Sequence, residues 1–80
     1  MTDPREDETL LDARGLRCPE PVMLLHNRIG AIAPGAELVV WATDPSTERD
    51  IARFCQFLGH ELVEADTTGE TLVFRVRKAG

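Results

Sequence analysis

Arg14-Gly15-Leu16-Arg17-Cys18-Pro19-Glu20-Pro21-Val22 is the stretch that decides how this chain folds. A short apolar run ends at Ala13, a glycine turn follows, and a cysteine then stands directly before two prolines one residue apart. Pro19 suits the first helical position, because its missing N–H has no partner there in any case. Pro21 still falls in the first turn and is tolerated for the same reason. The spacing therefore predicts a strand, a turn and a helix start, with Cys18 at or beside the N-cap. The unpaired N–H groups of that first turn are expected to point at its sulfur, and the positive end of the helix dipole favours thiolate over thiol. Arg17 adds a nearby positive charge and Glu20 partly opposes it. Two readings follow: a nucleophilic, solvent-reachable cysteine, or a small residue that merely fills the start of a helix.

Working outward, Thr9 to Ala13 reads as a short first strand. A helix is predicted from Pro19 to about Ala33, with Val22, Leu25, Ile29 and Ile32 three or four residues apart in one apolar stripe. Gly30 costs that helix about 1 kcal/mol relative to alanine, and Pro34-Gly35 ends it. Leu38 to Ala42 is a nearly continuous apolar run rich in strand formers, the signature of a buried central strand. Asp44 before Pro45 repeats the proline-led helix start, with Asp44 as N-cap. The second helix is predicted from Pro45 to Leu58, its buried face carrying Ile51, Phe54, Cys55 and Leu58. Gly59 fits a C-terminal cap.

Leu62 to Ala65 is a weak strand and Thr67 to Glu70 a turn. Leu72, Phe74 and Val76 then alternate with Val73, Arg75 and Arg77, which predicts a half-exposed strand closing a hairpin. The order β-α-β-α-β-β predicts an α+β fold: a two-layer α/β sandwich, a four-stranded mixed sheet with two helices on one face. Parallel pairing of the first two strands sets both proline-led helix starts at one sheet edge. Cys18 is thereby brought toward the Thr43–Asp50 turn, and such edges commonly hold the sites of α/β sheets.

Eighty residues make a single domain, too small for a deep cleft lined by many catalytic groups. Of the net charge of −5, −3 falls in Met1 to Glu8, so residues 1–8 read as a disordered acidic tail ahead of one domain over 9–78. There is no basic stripe, which argues against direct nucleic-acid binding. No apolar run approaches a membrane span, and the polar start of the chain is unlike a signal peptide. The expected compartment is the reducing cytoplasm, where a cysteine is more often reactive or buried than bridged.

Cys55 reads as core, since free cysteine is among the most buried residue types. It sits roughly 15 Å along its helix from the edge that holds Cys18, too far for a disulfide. The cysteines with His26 and His60 show no zinc-ligand spacing, so no metal is expected. His26 is roughly 12 Å along the first helix from Cys18, too far for direct proton transfer, and His60 reads as a surface or capping group. Phe57 falls off the buried stripe and is a candidate anchor for a partner. Asp44, Arg49 and Asp50 are capping and surface charges whose nearness to Cys18 makes them candidates for a docking face that sets partner choice.

The string Leu11 to Val22, L-D-A-R-G-L-R-C-P-E-P-V, resembles the TusA (SirA-like) family of small sulfur-carrier proteins, whose hallmark is Cys-Pro-x-Pro. A second block, Ala42 to Val63, and the terminal Arg77-Lys78 look like the same family. The resemblance implies a persulfide on Cys18, with Arg17, Pro19, Glu20 and Pro21 as its supporting motif. It implies a cysteine desulfurase as donor; pyridoxal phosphate belongs to that donor, and no cofactor is expected on this chain. The implied acceptor is a sulfur-relay protein serving 2-thiouridine formation at the tRNA wobble position, or a related sulfur-metabolism protein. Two other classes compete. In one, the chain is a non-catalytic regulatory binding module. In the other it is a thiol–disulfide redox protein, which the absence of a resolving cysteine near Cys18 counts against.

Overall fold

The computed structural model describes residues 10–79. The acidic tail expected over 1–8, and Thr9 of the first expected strand, lie outside them. Strands β1 (Leu10–Ala13), β2 (Glu37–Ala42), β3 (Glu61–Asp66) and β4 (Leu72–Arg77) form one sheet in the order β1-β2-β4-β3. Helices α1 (Glu20–Ala31) and α2 (Thr47–Leu58) follow β1 and β2. β1 and β2 are parallel, and β4 is antiparallel to both β2 and β3. The α+β two-layer sandwich read from the sequence is the architecture observed.

Alternation decides which sheet face is covered. Leu11 and Ala13 of β1, Leu38, Val40 and Ala42 of β2, and Leu72, Phe74 and Val76 of β4 are buried on one face. They join Leu25 and Ile29 of α1 and Ile51 and Cys55 of α2 in a single core cluster. Both helices therefore cover the same face, as period-2 strands against period-3.6 helices require. On the other face Glu37 bridges Arg75 at 3.3 Å and Arg77 at 2.9 Å, and the Arg14 guanidinium lies 5.0 Å from the Trp41 ring centre.

The helices depart from expectation at their ends. The buried line of α1 is led by Pro21, with Leu25 and Ile29; Val22 is half-buried at its side. In α2 the buried line is Thr47, Ile51 and Cys55. Leu58, expected on that face, is 40% exposed, and Phe54 is half-buried. Pro45 does not begin α2: residues 45–46 form a turn, and Ser46 is the N-cap. Asp44 instead braces that turn, its Oδ1 accepting from the Ser46 backbone N–H at 3.0 Å and from Ser46 Oγ at 2.9 Å. Gly59 ends α2 at φ 80°, the left-handed cap its position predicts. β3 is longer than the sequence suggested. It reads weakly because it is an edge strand whose side chains are mostly exposed, with a register shift between Leu62 and Glu64.

α1 ends at Ala31, short of the expected Ala33, and its last carbonyls are met from the far end of the chain. Lys78 Nζ donates to Ile32 O at 2.7 Å and to Gly30 O at 3.4 Å. A cation on unpaired C-terminal carbonyls is favourable through both the hydrogen bonds and the dipole. Lys78→Ala is expected to lower stability by about 1 kcal/mol, read as a reduced urea midpoint with an unchanged slope; no change would show that solvent serves those carbonyls equally well.

Candidate functional site

Cys18 stands where β1, β2 and the two helix starts meet. Gly15, at φ 82°, turns the chain after β1, and its N–H donates to Thr43 Oγ1 at 2.8 Å. The Cys18 N–H donates to Asp44 Oδ2 at 3.0 Å. These two bonds tie the loop after β1 to the loop after β2. The parallel pairing thus brings Cys18 and the Thr43–Asp50 turn together, as the topology predicts.

The helix start is built differently from expectation. Pro19 is the N-cap of α1, so Cys18 lies one position before it. The first-turn donors are not turned toward its sulfur in the expected number. Pro19 and Pro21 have no N–H to offer, and the Glu20 N–H donates to Arg17 O at 2.8 Å. The prolines that mark the helix start are also what strip it of donors.

The charge around the thiol is also opposite in sign to expectation. The Asp50 carboxylate beside the thiol pushes the Cys18 pKa up, and partial desolvation and the negative charges of Asp50 and Asp44 act in the same direction. The Ser46 hydroxyl offsets part of this. Two nearby carboxylates thus outweigh a helix end that has few free N–H groups. Asp44 itself is held below the usual carboxylate range, first by the Cys18 N–H and then by the Ser46 N–H and hydroxyl.

Cys18 opens onto a groove of about 520 Å³ between the two helices. Pro19 and Val22 of the α1 side and Phe54, Phe57 and Leu58 of α2 give it apolar walls. Asp50, Arg53 and His26 supply its polar groups. Phe57 is 87% exposed at its rim, and Arg49 points outward beside Asp50, with Nε 3.9 Å from Oδ1. The exposed Leu58 is therefore part of one wall of the groove.

The remaining candidates fall away from the sulfur. Cys55 is buried in the core, and burial pushes its thiol up to about 11. Both cysteines are free. His26 packs edge-on against Phe54, ring centres 5.9 Å apart, and Phe54 stacks on His60 at 5.6 Å. His60 Nδ1 accepts from the Ala79 N–H at 2.9 Å; burial, with Lys78 and His26 nearby, lowers its pKa and favours the neutral ring that this bond needs. Among the described residues no group of three or more His, Cys, Asp or Glu is placed to hold a metal ion, and no helix is long and apolar enough to cross a membrane.

Sequence reasoning missed the burial of Asp50 and the groove it shares with Cys18. Asp50 had been placed near Cys18 by topology alone. Its position one residue before the buried Ile51 signalled that it flanks the core, but not which way its carboxylate turns.

Comparison with known proteins places this geometry among relatives. The family profile described as Sulfurtransferase TusA matches residues 9–78. The chain is 56% identical over 78 residues to the Sulfur carrier protein TusA of Pseudomonas paraeruginosa, covering 98% of this chain and 96% of that one. It is 58% identical over 71 residues to the protein of the same name from Pseudomonas aeruginosa, covering 89% and 90%. A solved SirA-like protein from Desulfitobacterium hafniense shares the fold, with a TM-score of 0.77 at 15% identity over 89% of this chain and 97% of that one. With its profile matched from the first strand to the last and relatives this similar along nearly their whole length, the chain belongs to the TusA sulfurtransferase family.

Proposed function

We propose that this chain is a sulfur carrier whose single domain, over 9–78, holds a transferable sulfur on Cys18 as a persulfide. The observation that carries the reading is the contrast between the two cysteines. Cys18 is exposed at the mouth of an apolar groove, whereas Cys55 is sealed in the core. Cys18 as thiolate attacks the terminal sulfur of a donor persulfide. A new S–S bond forms at Cys18, the donor's S–S bond breaks, and the donor cysteine leaves as a thiolate that takes up a proton. One neutral sulfur atom moves and no external oxidant is needed. An acceptor thiolate later attacks the terminal sulfur on Cys18 in the same way. The protein is thus a stoichiometric carrier within a relay.

The donor is a cysteine desulfurase. The acceptor is a relay protein serving 2-thiouridine formation at the tRNA wobble position, and the compartment is the cytoplasm. Similarity to curated sulfur carriers over nearly their whole length supports the carrier role. Pro19 walls the groove beside the sulfur, and Pro21, buried, anchors the start of α1 to the core. Arg17 and Glu20, both exposed, flank the sulfur as contacts for partners. Asp44, Arg49, Asp50 and Phe57 complete a docking face.

The test incubates the reduced protein with a cysteine desulfurase and free cysteine, followed by intact mass without reductant. A gain of one sulfur atom, removable by reductant and mapped to Cys18, is the expected result. No gain, with the donor active on another carrier, would overturn the reading. In the same assay Phe57→Ala is expected to raise the donor concentration for half-maximal loading about tenfold, the effect of losing an aromatic anchor. Its melting temperature should not move, because the ring is almost wholly exposed.

A further inference from the structure

Asp50 is poorly explained as an ordinary surface charge. Its side chain is 17% exposed, and its Oδ2 is buried with no hydrogen-bond partner of standard geometry among the described residues. Its other oxygen has only the distant Arg49 Nε at 3.9 Å. Buried carboxylate oxygens without partners are costly and call for an explanation. The carboxylate lines the same groove as Cys18, so its uncompensated charge bears on the cysteine sulfur.

We propose that Asp50 restrains Cys18, holding it as a neutral thiol at neutral pH while the chain is free, so that sulfur enters from a docked donor and not from whatever small electrophile is in solution. This rests on Cys18 being the sulfur-bearing residue. Asp50 acts as a positioning residue: its unpaired carboxylate opposes the negative charge that would form on the sulfur. The surrounding groups set the balance. Asp44 and Ser46 face the sulfur from the turn before α2, with opposite effects on it. Arg17 lies on the loop before α1 and interacts with Asp44. Glu20 is on the first turn of α1, and His26 and Arg53 line the groove beyond. Arg49 is 64% exposed and its Nε stays 3.9 Å from Asp50 Oδ1, so it compensates the carboxylate weakly.

The plainer role for Asp50, an acidic residue in the first helical turn, affects helix stability only. The thiol's pH profile separates the two. The full chain, reduced, is alkylated with iodoacetamide from about pH 6 to about pH 10, and Cys18 modification is followed by intact mass. Asp50→Asn is expected to lower the midpoint of the profile. Its rate at pH 7 should rise about threefold for each pH unit by which the midpoint falls, since tenfold more thiolate is offset by its lower intrinsic nucleophilicity. Asp50→Glu should stay near wild type.

If Asp50→Asn does not fold, Asp50→Ser, a small neutral residue at home near helix starts, carries the same expectation. A midpoint that stays or rises on neutralising Asp50 overturns the proposal; a fall in rate would identify Asp50 as a base that assists ionisation. The assay uses no sulfur donor. Failure to load sulfur from a desulfurase would sink the carrier role and leave this profile standing, and an unmoved profile would leave the carrier role standing.

Discussion

Cys18→Ser is expected to abolish sulfur loading outright, whereas Cys55→Ala leaves it within about twofold of wild type. A serine hydroxyl cannot form the S–S bond on which transfer depends, so the loss is complete and not graded. Cys55 lies at 3% exposure in the core, with its thiol pushed up to about 11, and so offers almost no thiolate and no access. Alanine is the better replacement there, because a serine hydroxyl buried without a partner costs about 1–3 kcal/mol by itself. The measurement is intact mass after incubation with desulfurase and cysteine, with far-UV circular dichroism of both variants. Equal loss of loading in both, with both folded, would refute the assignment of Cys18.

Phe74→Ala is expected to leave the domain largely unfolded at physiological temperature. Phe74 is fully buried and is the largest such side chain in the core. It sits on β4 between Val40 of β2 and Ala65 of β3, beneath both helices. Removing a buried phenylalanine costs about 3–5 kcal/mol through lost transfer energy and the cavity left behind. A domain of this length has roughly 5–10 kcal/mol in total, so little margin remains. Each kcal/mol moves the melting temperature by about 4–8 °C at this size. A fall of more than about 15 °C, or no cooperative transition, is the expected melt. A fall below about 5 °C would mean that the two layers close over the gap. Phe57→Ala, the same chemical change at an exposed ring, is the internal control.

Most of the fold was legible because each element carries a local signal strong enough to act alone. Proline after Cys18 and near Asp44, glycine after Leu58, and the alternation over Leu72–Arg77 are decided by backbone sterics and by which faces must leave water. β3 was faint because an edge strand needs no apolar face of its own. Element ends were the least legible. Pro45 and Leu58 are placed by how the ends of α2 meet the rest of the fold, which no window of neighbouring residues contains.

The candidate site divides in the same way. Cys18, its place at a helix start and its nearness to the Thr43–Asp50 turn follow from local pattern plus parallel pairing. The sign of its electrostatics does not. A helix start in isolation favours thiolate, yet here the two prolines and the Arg17 carbonyl remove the donors, and Asp44 and Asp50 arrive from a segment 26 and more residues away.

The sequence by itself thus determined the two-layer architecture and the family, and singled out Cys18 as the candidate for reactivity, because hydrophobic periodicity, proline sterics and a short motif are properties of neighbouring residues. Only the tertiary structure decided that Phe54, Phe57 and Leu58 wall a groove leading from Cys18, and that Asp50 lines the same groove. Electrostatic and packing energies fall off over a few ångströms in space, and the chain brings those groups together from separate elements.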